Sequence, residues 1–275
     1  MIRLAVRVSR ARAELVLAEL LELSPNGVEE VGLGDSVVEY ALYGAPGELP
    51  ELPKLQAAAG TGLVEVRTSE VAEDWAERWR AFHRPLVLGE WLMVRPPWEP
   101  PAPTQLDVVI DPGRAFGTGA HATTRLCLEL MLGLEPRGGF VDVGCGSGVL
   151  AIVAAGLGFA PVLALDNDPL AIEAARSNAA ANEVELEVRR LDVRHQPLPG
   201  GHETVAANLL APLLRASLEQ LVAARPRRLI AGGILDGEAK AVAQAFASRG
   251  LTERQRLQRG GWVALLLCAP TPGQS

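Results

Sequence analysis

Phe140-Val141-Asp142-Val143-Gly144-Cys145-Gly146-Ser147-Gly148 runs from a short apolar strand pattern into three glycines spaced two apart, and the chain continues with the apolar run from Val149. A strand that turns on glycines into a helix lets a ligand approach the backbone with no side chain in the way. Dinucleotide-binding proteins and methyltransferases both use such a turn, so the details must divide them. A dinucleotide pattern starting at Gly144 wants Gly or Ala at 149, where Val149 stands. Asp142, just ahead of the glycines, would repel a pyrophosphate at the helix start. No Gly-Lys-Ser/Thr comes after the turn, which excludes a Walker-type phosphate loop.

The pattern D-x-G-x-G-x-G suits a ligand without phosphate and with positive charge. S-adenosylmethionine, which carries an ammonium group and a sulfonium, has both properties. Downstream the chain alternates helices with short apolar strands at 140–143, 162–166, 186–191, 204–208 and 228–232. This alternation predicts an α/β fold with a doubly wound, mostly parallel Rossmann-like sheet, whose ligands sit beyond the carboxyl ends of the strands. Asp166 ends the second strand 22 positions after Gly144, where a carboxylate can accept both hydroxyls of an adenosine ribose. Asp168-Pro169 reads as a helix cap with a first-turn proline. Asp192, at the end of the third strand, reads either as a partner of the adenine amino group or as a surface carboxylate.

Upstream, residues 2–8 read as a strand and Ala11 to Leu23 as a helix capped by Ser9. Gly27 to Leu33 and Ser36 to Tyr43 read as strands joined at Gly34-Asp35, with a weaker helix from Leu52 to Ala59 and a strand from Leu63 to Arg67 after them. The order βαββαβ predicts a small α+β ferredoxin-like domain over residues 1–67, with one sheet face left for a partner. Val71, Trp75, Trp79 and Phe82 share one helical face, and Pro96, Pro97, Pro100, Pro101 and Pro103 stiffen the stretch from 96 to 103. Residues 68–104 are therefore expected as a connector helix and extended linker, and residues 105–270 as the large domain.

The 275 residues are 48% hydrophobic and 21% charged, in the range of an ordinary globular protein. A net charge of −7 argues against sequence-independent binding to nucleic acid. Residues 1–66 hold five Lys/Arg against ten Asp/Glu, an acidic balance that suits a basic partner or a solvated surface. No apolar run reaches the roughly 20 residues of a membrane span, and Met1-Ile2-Arg3-Leu4 lacks a signal-peptide layout, so a cytoplasmic address is expected. Cys127, Cys145 and Cys268 have no metal-ligand spacing, and no metal site is expected.

One longer run is more specific. Asp111-Pro112-Gly113-Arg114-Ala115-Phe116-Gly117-Thr118-Gly119-Ala120-His121-Ala122-Thr123-Thr124 closely resembles the signature loop of the methyltransferases that modify large-subunit ribosomal protein eleven. The resemblance continues in Glu73-Asp74-Trp75, in Asp142 to Gly148, in Asp166-Asn167-Asp168-Pro169, in Asn208-Leu209-Leu210-Ala211 and in Gly232-Gly233-Ile234-Leu235. It implies that the loop covers the methionine part of the cofactor, with Phe116 and Thr118 near the transferred methyl group and water excluded. Motif and resemblance together give a cofactor set of Phe116, Gly117, Thr118, Thr123, Asp142, Gly144, Gly146, Gly148, Asp166, Asn167, Asp192 and Asn208. His121 reads either as a general base or as a hydrogen-bonded loop histidine.

Asn208 and Leu209 are the expected catalytic pair. Methyl transfer from a sulfonium is an in-line displacement, so the protein must aim a nitrogen lone pair and keep the site dry. The Asn208 side-chain oxygen and a backbone carbonyl, that of Leu209, can accept the hydrogens of an amine. Neutralising a lysine at pH 7 costs roughly 4–5 kcal/mol, and a terminal amine only about 1. Neutral acceptors suit either target, since a carboxylate would hold the ammonium form. Enzymes that methylate planar amides or bases often carry Asn-Pro-Pro-Tyr here, and Leu209-Leu210-Ala211 offers no such ring. The resemblance implies methylation of lysine and N-terminal amines of the ribosomal protein, and a monomer is the default expectation. The alternatives are a lysine methyltransferase acting on another protein and an S-adenosylmethionine-binding regulatory module without turnover.

Overall fold

A computed structural model describes residues 2–13, 16, 17, 20, 28–32, 36–44, 49, 50, 53, 56, 63–70, 83–112 and 121–270. The expected Gly34-Asp35 hairpin turn, the connector helix with Glu73-Asp74-Trp75, and the loop residues Phe116, Gly117 and Thr118 lie outside the described residues. The chain divides into two compact units, with the boundary of the described residues between His83 and Arg84.

The first unit is built on an antiparallel sheet of β1 (Ile2–Ser9), β2 (Glu29–Gly32), β3 (Val37–Gly44) and β4 (Leu63–Glu70), in the order β2-β3-β1-β4. This is the strand order of a ferredoxin-like βαββαβ unit. Period-two alternation in β1 sends Leu4, Val6 and Val8 to one face, where they pack with Val38, Tyr40 and Leu42 and with the helical residues Ala13, Val16 and Leu20. Tyr40 closes that core by donating its hydroxyl to the Ala13 carbonyl at 2.9 Å. The opposite face carries a cross-strand ion ladder, in which Arg7 bonds Glu39 at 2.7 Å and Glu65 at 2.8 Å.

The second unit begins with residues expected from sequence to be a linker. Leu86–Leu88 (β5), Leu92–Arg95 (β6) and Leu106–Val109 (β7) form a three-stranded sheet, antiparallel and then parallel. Leu86, Leu88, Leu92, Val94 and Val108 are buried there, and Arg95 grips Asp107 through two hydrogen bonds of 2.8 Å. The prolines that suggest an extended linker occupy the crossover between β6 and β7.

The main sheet has seven strands: β8 (Gly139–Val143), β9 (Val162–Asp166), β10 (Glu187–Arg190), β11 (His202–Asn208), β12 (Arg228–Leu235), β13 (Thr252–Arg259) and β14 (Trp262–Cys268). Their order is β10-β9-β8-β11-β12-β14-β13; the first five are parallel, and β14 and β13 are antiparallel additions. The helices are α1 (Ala122–Leu132), α2 (Val149–Leu157), α3 (Pro169–Ala181), α4 (Ala211–Ala216), α5 (Leu218–Ala223) and α6 (Asp236–Ala247). Alternate strand residues Val141, Val143, Val205, Ala207, Leu229 and Ala231 face Leu214, Leu221, Val242 and Phe246 of α4 to α6. The other face, which includes Asp142 and Ala206, is the one that α1 and α2 cover. No helix among the described residues is long and apolar enough to cross a membrane.

Strand order reverses between β8 and β11, because the chain steps outward from β8 to β10 and then returns to the other side of β8. In open α/β sheets that reversal leaves a crevice at the carboxyl ends of the two strands. Those ends are Val143-Gly144 and Asn208-Leu209.

Candidate active site at the switch of the sheet

The glycine turn is held by backbone bonds to the end of the next strand. The N–H groups of Gly144 and Cys145 both donate to the Leu165 carbonyl, at 2.8 and 3.0 Å. Gly146 donates its N–H to Asp166 Oδ2 at 3.0 Å, while Asp166 Oδ1 accepts from Asp168 N at 3.0 Å. Gly144, Gly146 and Gly148 have φ of +72°, +53° and +82°, the left-handed region in which a side chain is strained. Asp166 thus fixes both the turn and the start of α3, and about half of its lone-pair sites remain for a ligand. Burial pushes its pKa up, against the pull of the backbone donors of Asp168, Gly146 and Asn167. Asp168 caps α3 by accepting from Leu170 N at 2.9 Å.

Asp142 is 1% exposed. Its Oδ2 accepts from Ala151 N at 3.2 Å, bracing β8 against the first turn of α2, and its Oδ1 has no hydrogen-bond partner among the described residues. Burial pushes its pKa up to about 7. Asn167 is exposed, and its carbonyl accepts from Arg190. Asp192 is engaged by Arg194, whose backbone N–H, Nε and Nη2 all donate to it at 3.0, 2.9 and 2.7 Å. Those bonds hold its pKa down at about 2.

Across the crevice, Asn208 ends β11. Its Nδ2 points to the hydroxyls of Thr123 and Thr124 at 3.4 and 3.5 Å, and its Oδ1 is buried without a hydrogen-bond partner among the described residues. Two glycines clear the space for residues 208 and 209. A Cβ on Gly232 would overlap Cys127 Sγ and stand 2.8 Å from Asn208 Oδ1, and one on Gly144 would overlap Leu209 Cδ2. Leu209 therefore lies over the glycine turn, and the two halves of the site meet there.

Gly233 has φ +73° at a register shift in β12, and a Cβ there would stand 2.6 Å from the Leu209 carbonyl oxygen. Backbone on one side and a left-handed φ on the other leave no cheap relief. Gly233→Ala is expected to lower stability by about 1–3 kcal/mol, read as a lower urea midpoint at unchanged slope. An unchanged midpoint would mean that the bulge relaxes at no cost.

His121 is the N-cap of α1, where its Nδ1 accepts from Thr123 N at 3.3 Å and lies 2.9 Å from Thr123 Oγ1. Its ring stands edge-on to Trp262 with centroids 5.2 Å apart. Burial lowers its pKa to about 4, so the ring is neutral at pH 7 and fits the cap. This geometry matches the hydrogen-bonded loop histidine of the two sequence readings. Sequence reasoning missed Cys127, Thr124 and the part played by Gly232. The available signal was pairing, since Gly232 sits directly opposite Asn208 in the β11–β12 ladder.

A mostly parallel sheet with a glycine turn, a carboxylate at the end of the next strand and a buried side-chain acceptor at the switch point is the architecture of an S-adenosylmethionine-dependent methyltransferase. The model of a family described as "Ribosomal protein L11 methyltransferase (PrmA)" matches residues 8–269. The ribosomal protein L11 methyltransferase of Symbiobacterium thermophilum is 42% identical over 228 residues, covering 76% of this chain and 74% of that one. That of Pelobacter propionicus is 40% identical, covering 71% and 66%. Among solved structures, a ribosomal protein L11 methylase from Lactobacillus delbrueckii subsp. bulgaricus superposes with a TM-score of 0.61 at 28% identity, over 68% of this chain and 99% of that one. The chain belongs to the ribosomal protein L11 methyltransferase family.

Proposed function

We propose that this chain transfers methyl groups from S-adenosylmethionine to lysine and N-terminal amines of ribosomal protein L11, acting as a cytoplasmic monomer on the protein before ribosome assembly. The observation that carries the reading is the buried, unpartnered Oδ1 of Asn208 at the switch point. An unmet buried acceptor costs roughly 1–3 kcal/mol, and a fold keeps one where a ligand donor is to meet it. The residues present also fit the cofactor: Gly144, Gly146 and Gly148 carry no side chains of their own, Asp166 retains acceptor capacity, and Asp142 has an oxygen without a hydrogen-bond partner among the described residues.

Bound S-adenosylmethionine supplies an electrophilic methyl group on a sulfonium. Asp166 accepts the ribose hydroxyls, with Gly144, Gly146, Gly148 and Asn167 lining the approach. The Asp142 carboxylate contributes negative charge facing a cationic ligand. Asn208 Oδ1 and the Leu209 carbonyl accept the hydrogens of a neutral amine and aim its lone pair. Thr123 and Thr124 hold the Asn208 amide in that orientation, and the neutral acceptors add no charge that would favour the ammonium form.

The test is intact-mass analysis of recombinant ribosomal protein L11 after incubation with the enzyme and S-adenosylmethionine, with Asn208→Ala in parallel. Mass steps of one methyl each, absent with the variant, are the expected result. An unmodified substrate with demonstrable cofactor binding would remove the proposed substrate and leave the methyltransferase.

A further inference from the structure

Two asparagines of α3 and its C-cap lie outside every motif legible in the sequence. Asn178 is 3% exposed. It donates Nδ2 to the Ser147 carbonyl at 2.9 Å, inside the glycine turn, and its Oδ1 accepts from Asp111 N at 3.0 Å. Asn182, one turn on, accepts from Val109 N at 2.8 Å and donates to the Val109 carbonyl at 2.6 Å.

The spacing is physical. Leu106 and Ile110 donate their N–H groups to the carbonyls of Trp91, just before β6, and Arg95, so the odd-numbered residues 109 and 111 point the other way, toward α3. Residues i and i+4 of a helix rise about 6 Å, and residues i and i+2 of a strand about 6.6 Å. Asn178 and Asn182 can therefore replace a neighbouring strand along residues 109–111. The same helix touches the turn a second time, since a Cβ on Gly148 would stand 3.0 Å from Ala175 Cβ. It also starts directly after Asp166, which bonds the turn at Gly146.

We propose that Asn178 is a positioning residue of the cofactor site, holding the glycine turn at a fixed distance from the segment that leads into the Asp111–Thr124 motif. This rests on the reading that the turn and Asp166 hold S-adenosylmethionine. Asn178 touches no reacting atom. It keeps the Ser147 carbonyl turned into the protein, and with it the orientation of the neighbouring turn amides. Its loss therefore weakens cofactor binding and leaves the chemical step intact.

The experiment compares the parent with Asn178→Ser, Asn178→Asp and Asp166→Ala. It measures S-adenosylhomocysteine affinity by calorimetry well below each protein's own Tm, and methylation rates at saturating cofactor. Asn178→Asp keeps the shape and the acceptor for Asp111 N but loses the donor to Ser147, so it serves if the serine variant does not fold. Both Asn178 variants are expected to bind about tenfold more weakly, one good hydrogen bond's worth, with KM for S-adenosylmethionine raised and kcat within about twofold. A lower Tm with unchanged affinity would reduce Asn178 to a packing residue and overturn the proposal if Asp166→Ala still weakens binding. Unchanged affinity in Asp166→Ala as well would instead remove the assignment of the cofactor site.

Discussion

Asn208→Ala is expected to lower kcat about 100-fold or more while leaving the fold intact. The magnitude comes from the proposed task of the side chain: misplacing a reacting group by about 1 Å can cost 10²-fold. The small effect on stability comes from its bonds. The Nδ2 contacts to Thr123 and Thr124 are long, and Oδ1 meets no donor among the described residues, so alanine removes little that holds the fold. A catalytic loss without loss of stability separates this site from a core residue, where truncation costs both. Asn208→Asp sharpens the test. It keeps an acceptor of the same shape but adds a charge that stabilises the ammonium form of the substrate, so its activity should be low at pH 7 and recover toward higher pH. Initial rates from intact-mass time courses across pH 7–10 measure both. A kcat within about threefold of the parent for Asn208→Ala would sink the assignment.

The parts of the site that could be read from sequence are those in which one residue type has one physical use. Three glycines after an apolar strand needed left-handed backbone, and β8, β9, β11 and β12 appeared as short apolar runs because both of their faces are buried. Asp168-Pro169 had the local grammar of a cap, and the cap is there. Edge strand β13, Thr-Glu-Arg-Gln-Arg-Leu-Gln-Arg, gave no signal because nearly every side chain on it is exposed, so it carries no apolar alternation. β5 and β6 are too short to show a period, and the nearby prolines suggested a linker. Asn178 and Asn182 were illegible for another reason. Their role depends on residues 31 to 73 positions away, and an asparagine on a helix looks the same whether it meets water or a strand. The sequence displays only the charge of Asp142, while its bond to Ala151 N depends on how α2 lands on β8.

That bond makes Asp142→Asn the variant whose effects on stability and on binding should have opposite signs. The Asp142 carboxyl is buried, with one oxygen on Ala151 N and the other unpartnered, and burial, with Asp166 nearby, raises its pKa to about 7. In the unfolded chain an aspartate titrates near 3.9. Between those values the folded protein holds a proton that the unfolded chain has lost, so stability falls as pH rises through the interval. Above pH 7 the ionised carboxylate costs roughly 4 kcal/mol relative to pH 4, at about 1.4 kcal/mol per unit. Asparagine keeps the shape and an oxygen for Ala151 N and carries no charge at any pH. Its amide N–H groups gain no partner, which costs about 1–3 kcal/mol. The variant should therefore be about 2 kcal/mol more stable than the parent at pH 8, and the advantage should vanish or reverse by pH 5. Cofactor affinity should move the other way, at least tenfold weaker, and more so at pH 8 than at pH 6, because the ionised carboxylate that destabilises the empty site attracts a sulfonium and an ammonium. Urea midpoints at pH 5 and pH 8, with calorimetric titration of S-adenosylmethionine, measure both signs. A variant less stable than the parent at pH 8 would show that Asp142 is neutral or solvated there. A variant that bound the cofactor as tightly as the parent would show that the charge serves only the fold.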